Sequence, residues 1–119
     1  MPEETIKRYF DAWEKQDSSA LSNVFTLDAK YAVHPYGIEA YVGIDAIQKY
    51  WEANPVTKQI NPKPRSVTQL IQGNVAFLEW ECTFDTITEK DVQMCGMMRL
   101  EFRDGLISDL REHYEIKPK

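Results

Sequence analysis

The stretch FRDGLISDLREHYE, residues 102–115, decides the fold, because it joins two alternating segments through the turn pair Asp104-Gly105. In the second segment one face of a β-strand is predicted to carry Leu106, Ser108, Leu110, Glu112, Tyr114 and Ile116. Glu112 is the charged residue on this otherwise apolar side. A carboxylate there needs a partner, a cavity or a proton, so Glu112 is the first candidate functional residue.

Alternating segments upstream predict a meander of antiparallel strands, with SVTQLIQ (66–72) as the first. In VAFLEWECTFD (75–85) the predicted core face carries Ala76, Leu78, Trp80, Cys82 and Phe84. In VQMCGMMRLEF (92–102) it carries Val92, Met94, Gly96, Met98, Leu100 and Phe102. Cys82 and Cys95 therefore fall on opposite faces, which argues against a disulfide bond.

The N-terminal half is predicted to be mainly helical. PEETIKRYFDAWEKQD (2–17) and GIDAIQKYWEAN (43–54) have apolar residues at helical spacing, and Asp17 or Ser18 can cap a short helix between them. AKYAVHP (29–35) reads as a strand, and TKQINPKPR (57–65) as a loop or an irregular edge. Helices followed by a strand meander predict one α+β domain, residues 1–119, with helices on one face of a mainly antiparallel sheet.

Composition excludes several functional classes. A net charge of −5 and a pI near 5 oppose nucleic-acid binding, which needs clustered Lys and Arg. No run approaches the roughly 20 apolar residues of a membrane helix, and the first residues lack a secretory signal, so the cytoplasm is expected. His34, His113 and the two cysteines lack the spacing of a zinc motif, so no metal or cofactor is expected.

The order of helix, short helix, strand ending in His34-Pro35, helix and a meander closing with FRDGLISDLREHYE resembles the SnoaL-like proteins of the nuclear-transport-factor-2-like superfamily. The resemblance covers nearly the whole chain. It implies a cone-shaped fold with a strongly curved sheet, an apolar cavity and a homodimer. Because the superfamily includes ketosteroid isomerase, limonene epoxide hydrolase, polyketide cyclases and non-catalytic proteins, the fold does not fix the function.

The resemblance also implies roles for individual residues. Tyr9 matches the tyrosine that donates to the oxyanion in ketosteroid isomerase, and His34-Pro35 occupies the place of the Asp-Pro pair that supplies its base if one residue is inserted. Met98 stands where the second oxyanion donor would be, which predicts a poor steroid isomerase. Glu112 matches the acidic residue in the last strand of limonene epoxide hydrolase. Trp80 and Cys82 stand where that enzyme has Arg and Asp.

The resulting hypothesis is that the chain binds an apolar or polycyclic small molecule. His34 or Glu112 would remove a proton next to a carbonyl, and Tyr9 would stabilise the oxyanion. The residues expected to contact the ligand are Trp13, Trp51, Trp80, Met94, Met98 and Tyr114. The alternatives are a non-catalytic carrier or sensor, and a dimeric interaction module with Phe77 and Met97 at its interface.

Overall fold

A computed structural model describes residues 2–34 and 39–118 of the chain. The first helix, α1 (Pro2–Lys15), has Glu3 and Glu4 in its first turn, where carboxylates complement the helix dipole. It buries one apolar side, which includes Ile6, Tyr9, Phe10 and Trp13. A short 3₁₀ helix (Ser18–Asn23) follows, and the Asp17 side chain caps it by accepting a hydrogen bond from the Ser19 amide.

Two more helices follow the first hairpin. α2 (Ile44–Ala53) begins after Gly43, whose φ of 91° lies in the region that favours glycine. It buries Ile47 and Trp51. α3 (Pro55–Lys58) is a single turn that starts at a proline, as helices often do.

Six strands form one open, mixed sheet in the order β2-β1-β6-β5-β4-β3. Their bounds are β1 (Phe25–Val33), β2 (Glu39–Val42), β3 (Ile60–Gln72), β4 (Val75–Asp85), β5 (Val92–Arg103) and β6 (Leu106–Ile116). β1 pairs with β6 in parallel, and every other pair is antiparallel. The sheet faces the helices on one side, which confirms the predicted α+β class.

The predicted alternation is confirmed in the central strands. In β4 the residues from Ala76 to Phe84 alternate strictly between buried and exposed, with the apolar set inside. β5 places Met94, Met98 and Leu100 on the same inner side. Cys82 is buried and Cys95 is exposed, and both thiols are free, as their opposite faces predicted.

Residues 57–65 were predicted to be a loop or an irregular edge, and from residue 60 onward the structure shows an irregular edge strand. Residues 60–65 belong to β3, and Pro62 and Pro64 are buried within it. The strand tolerates both prolines because β3 is an edge strand, where a missing N–H need not break a ladder on the free side. β2 was not predicted, and Pro35 of the proposed His34-Pro35 pair lies outside the described residues.

A β-bulge corrects the face assignment at the start of β6. Phe102 pairs with Ile107 and Glu101 with Asp109, so Ser108 is an extra residue in the ladder. Ile107 is therefore the fully buried residue there, while Leu106 and Ser108 are half-buried, contrary to the predicted alternation. Within residues 2–34 and 39–118 no helix has the length and apolarity needed to cross a bilayer.

Candidate functional site

A cavity of about 290 Å³ lies between the helices and the inner face of the sheet. Half of the described lining residues are aromatic, and Glu112 is the carboxylate in the described lining. The aromatic lining residues are Tyr9, Trp13, Tyr31, Tyr50, Trp51, Trp80, Phe84 and Tyr114. The remaining polar residues of the lining, Asn54, Lys58, Gln59 and Thr86, come from α2–α3, the start of β3 and the end of β4.

Glu112 is only 7% exposed, and its carboxylate accepts a hydrogen bond of 3.2 Å from the Tyr31 hydroxyl. Burial raises the pKa of this carboxyl to about 7, and the Tyr31 hydrogen bond offsets part of the rise. Two arginines of the sheet, Arg65 and Arg99, form ion pairs with other carboxylates, Arg65 with Glu81 and Arg99 with Glu101. Glu112 therefore sits at the cavity with a neutral donor as its neighbour.

Tyr9 extends this contact into a chain of three groups. Its hydroxyl lies 3.4 Å from the Tyr31 hydroxyl, so Tyr9, Tyr31 and Glu112 are linked along the cavity wall. Burial, and then the charge of Glu112, raises the pKa of both tyrosines. Both hydroxyls keep their protons near neutrality and remain hydrogen-bond donors.

Tyr31 was missed in the sequence analysis. It lies in β1, where Tyr31 and Val33 are buried and Ala32 is not. The signal was present in AKYAVHP, because alternation puts Tyr31 and Val33 on one face. What the sequence could not show is the parallel pairing that sets Val33 opposite Glu112.

The structure brings most of the predicted ligand contacts together. Trp13, Trp51, Trp80, Met94 and Tyr114 all line the cavity. Met98 is buried beside Glu112 in the β5–β6 register but is not part of the described lining.

His34 lies apart from this group. It is not part of the described cavity lining, and its ring nitrogen Nδ1 is 3.4 Å from Nδ1 of His113. Its backbone N–H donates to the carbonyl oxygen of Glu112 over 2.5 Å. The structure therefore joins Tyr9 and Glu112 at one cavity and places His34 beside the backbone of Glu112.

A family comparison covers most of the chain. The profile of the SnoaL-like domain matches residues 6–110. The chain belongs to the SnoaL-like family. No curated protein matches the chain significantly.

Solved structures share the fold of this SnoaL-like domain at low sequence identity. A candidate isomerase from Bacillus subtilis is 20% identical, with a TM-score of 0.81 over 96% of this chain and 86% of that one. A candidate polyketide cyclase from Sinorhizobium meliloti is 23% identical, with a TM-score of 0.69 over 92% and 93%. A Catenulispora acidiphila protein of ketosteroid-isomerase-like fold, in complex with trimethylamine, is 19% identical, with a TM-score of 0.75 over 94% and 85%.

The site of this SnoaL-like domain can perform acid–base chemistry with its own side chains. A carboxyl whose pKa is near 7 exchanges a proton readily at neutral pH. The neutral hydroxyls of Tyr31, which contacts this carboxyl, and of Tyr9, which contacts Tyr31, are donors for a developing negative charge. Among the described residues no three His, Cys, Asp or Glu side chains converge as a ligand set for a metal ion.

Proposed function

We propose that this SnoaL-like domain binds a compact, largely apolar carbonyl compound and moves a proton on it without a cofactor. The observation that carries the proposal is the chain Tyr9–Tyr31–Glu112 on the wall of an aromatic cavity. The isomerase and cyclase assignments of structural relatives support the reaction class only as analogy.

The cavity volume supports a compact ligand. Pockets for drug-sized molecules span roughly 300–1,000 Å³, and this cavity, at about 290 Å³, lies at the lower limit. A water molecule takes about 30 Å³ in the liquid, so the space corresponds to about ten waters. A single-ring ketone fits this volume better than the polycyclic ligand considered from the sequence.

Glu112 is the proposed base. Its carboxylate removes the proton from the carbon next to the carbonyl, and the C–H electron pair forms the enolate. Tyr9 supplies a hydroxyl donor for the oxyanion, and Tyr31, whose single proton is donated to the Glu112 carboxylate, becomes available as a second donor once that carboxyl is protonated. Protonated Glu112 then returns the proton to another carbon of the enolate, so substrate and product are isomers and the enzyme is unchanged.

His34 is not needed for this reaction. The described cavity wall includes Glu112 and both tyrosines but not the His34 ring. A general base must reach the proton within hydrogen-bond distance, directly or through one water. We therefore assign the proton transfer to Glu112, and His34 serves as the control position.

The test uses 3-cyclohexenone, whose conversion to the conjugated 2-cyclohexenone is followed by ultraviolet absorbance. We expect Glu112→Gln to lower kcat at least about a hundredfold, in line with the usual contribution of a general base, and His34→Ala to change it less than about threefold. Tyr9→Phe should lower kcat about tenfold or more with little change in KM. Equal activity of the wild type and Glu112→Gln would refute the proposal. It would also be refuted if the ketone binds but is neither converted nor exchanges its α-protons with D₂O.

A second candidate function is non-catalytic binding of a small organic cation. Aromatic rings surround a carboxylate in this cavity, and such rings attract quaternary ammonium groups through cation–π interactions. A structural relative holds trimethylamine. This candidate predicts that tetramethylammonium binds more tightly than neutral tert-butanol in calorimetry, and that Glu112→Gln removes the preference. Equal affinity for the two probes would exclude it.

A further inference from the structure

Two histidines that the proposed reaction does not use meet where β1 ends. The parallel register sets Val33 opposite Glu112. The residues that directly follow these two, His34 and His113, are therefore neighbours. They are 79 residues apart in the chain, yet their Nδ1 atoms are 3.4 Å apart. His113 is exposed, on the face of β6 opposite to the buried Glu112.

Three features fix the position of His34. Its φ of 74° lies in the left-handed region, which few residues other than glycine adopt and which histidine enters more often than most. Its N–H bonds to the Glu112 carbonyl over 2.5 Å. Its ring stacks on Tyr114, with centroids 5.6 Å apart and planes at 25°. The imidazole is therefore oriented before any ligand arrives.

We infer that His34 and His113 bind a divalent transition-metal ion of tetrahedral preference, such as Zn²⁺, through their Nδ1 atoms. Imidazole is a common ligand of zinc, at about 2.0–2.1 Å from the metal. Two nitrogens at that distance and at the tetrahedral angle are about 3.4 Å apart. In a square-planar arrangement adjacent nitrogens would be only about 2.9 Å apart, so the observed spacing favours a tetrahedral ion.

A hydrogen bond between the two rings explains the geometry less well. N–H donors usually lie about 2.7–3.2 Å from their acceptors, and here the two nitrogens are 3.4 Å apart. The ring planes meet at 64°, so neither ring is stacked on the other. The two imidazoles would be the protein ligands, and water molecules would complete the coordination.

The test titrates Co²⁺, a spectroscopic substitute for Zn²⁺, into the purified full chain in slightly alkaline buffer, because metal binding releases protons. We expect one equivalent to bind with the intense visible bands of tetrahedral cobalt, and Zn²⁺ to displace it. His34→Ala and His113→Ala should each weaken binding at least about tenfold. Cys95→Ser is the control, since it removes the exposed free thiol of β5. It should leave Co²⁺ binding unchanged, because the inferred site uses the two imidazoles and no thiol.

Thermal melting of each variant without metal shows whether it folds. His113 is exposed, so His113→Ala and the conservative His113→Asn should melt close to the wild type. Weak octahedral-type cobalt bands, or equal Co²⁺ affinity of wild type and folded His113→Ala, would overturn the inference. Loss of binding in Cys95→Ser would overturn it as well, because the thiol would then be the ligand.

Discussion

Glu112 costs the folded chain stability at neutral pH. Its ordinary pKa of 4.5 is raised to about 7 by burial, so between these values the unfolded chain loses a proton that the folded chain keeps. Stability due to this group is complete below about pH 4.5 and is lost as the pH rises toward about 7. Retaining such a carboxyl in an apolar wall is expected where function needs it.

We therefore predict that Glu112→Gln stabilises the protein in a pH-dependent way. At about 1.4 kcal/mol per pKa unit, the advantage over wild type should grow by up to about 3 kcal/mol between pH 4.5 and 7. Urea unfolding of both proteins at several pH values, with a chelator present, measures it. An advantage that is constant with pH would contradict the raised pKa.

Single residues differed in how far the sequence could predict them. Glu112 was predicted as a candidate because the other residues on its face of the strand are mainly apolar. That pattern can be recognised in the sequence of one strand alone. Tyr31 was missed because its role depends on a contact between strands 81 residues apart in the chain. The role of His34 was inferred from the resemblance, and the assignment of a base to either residue stays a prediction.

At the level of elements, β5 approaches Trp80 so closely that one position has room for glycine alone. A Cβ atom on Gly96 would lie 2.5 Å from the His113 carbonyl oxygen and 2.7 Å from an indole carbon of Trp80. Contacts this short force the neighbours to move. Trp80 lines the cavity, so the strand and the site depend on the same glycine.

Gly96→Ala is accordingly expected to lower the free energy of unfolding by roughly 1–3 kcal/mol, the usual cost of overpacking. It should also weaken ligand binding, because Trp80 has to shift. Cys95→Ala, at the exposed neighbouring position, is the matched control and should change stability little. Denaturant unfolding of the wild type, Gly96→Ala and Cys95→Ala measures the difference. Equal stability of the two variants would contradict the close approach of β5 to Trp80.

Elements were predictable where their pattern is local. The alternation of β4 and the helical spacing of α1 were sufficient to predict both elements. The β6 bulge at Ser108 was not, because a bulge is set by how two strands register rather than by either strand's own alternation. For residues 60–65 the sequence left a loop and an irregular edge open, because prolines oppose strands except at an edge, and edge position is a property of the whole sheet.

At the level of the whole molecule, the outer face of the sheet carries exposed apolar side chains, among them Leu70, Phe77 and Met97. The same face bears Glu79 and the cross-strand pair Arg99 and Arg111, so it offers charges of both signs. A surface of this kind is complementary to a second copy of itself across a two-fold axis. We propose a homodimer formed through this face, as the family resemblance also implies.

Met97→Arg should disrupt that dimer, because it places a charge among the apolar contacts. Ile87→Arg is the control, since Ile87 is 93% exposed in the β4–β5 loop, away from this face. Light scattering after size-exclusion chromatography should give a dimer for wild type and Ile87→Arg, and a monomer for Met97→Arg. A monomeric wild type at micromolar concentration would refute the proposed pairing.

The parallel pairing of β1 with β6 has a consequence for how the chain folds. The β3–β6 meander closes between neighbouring segments, whereas the β1–β6 pair and the Tyr9–Tyr31–Glu112 contacts need the two halves of the chain to meet. Contacts between residues far apart in the chain cost loop-closure entropy before they contribute any stabilising interaction, so they slow folding. On the ribosome β3, β4 and β5 emerge before β6 and can begin to pair, but the cavity cannot close until β6 has emerged. The candidate site therefore cannot be complete before β6 has paired with β1.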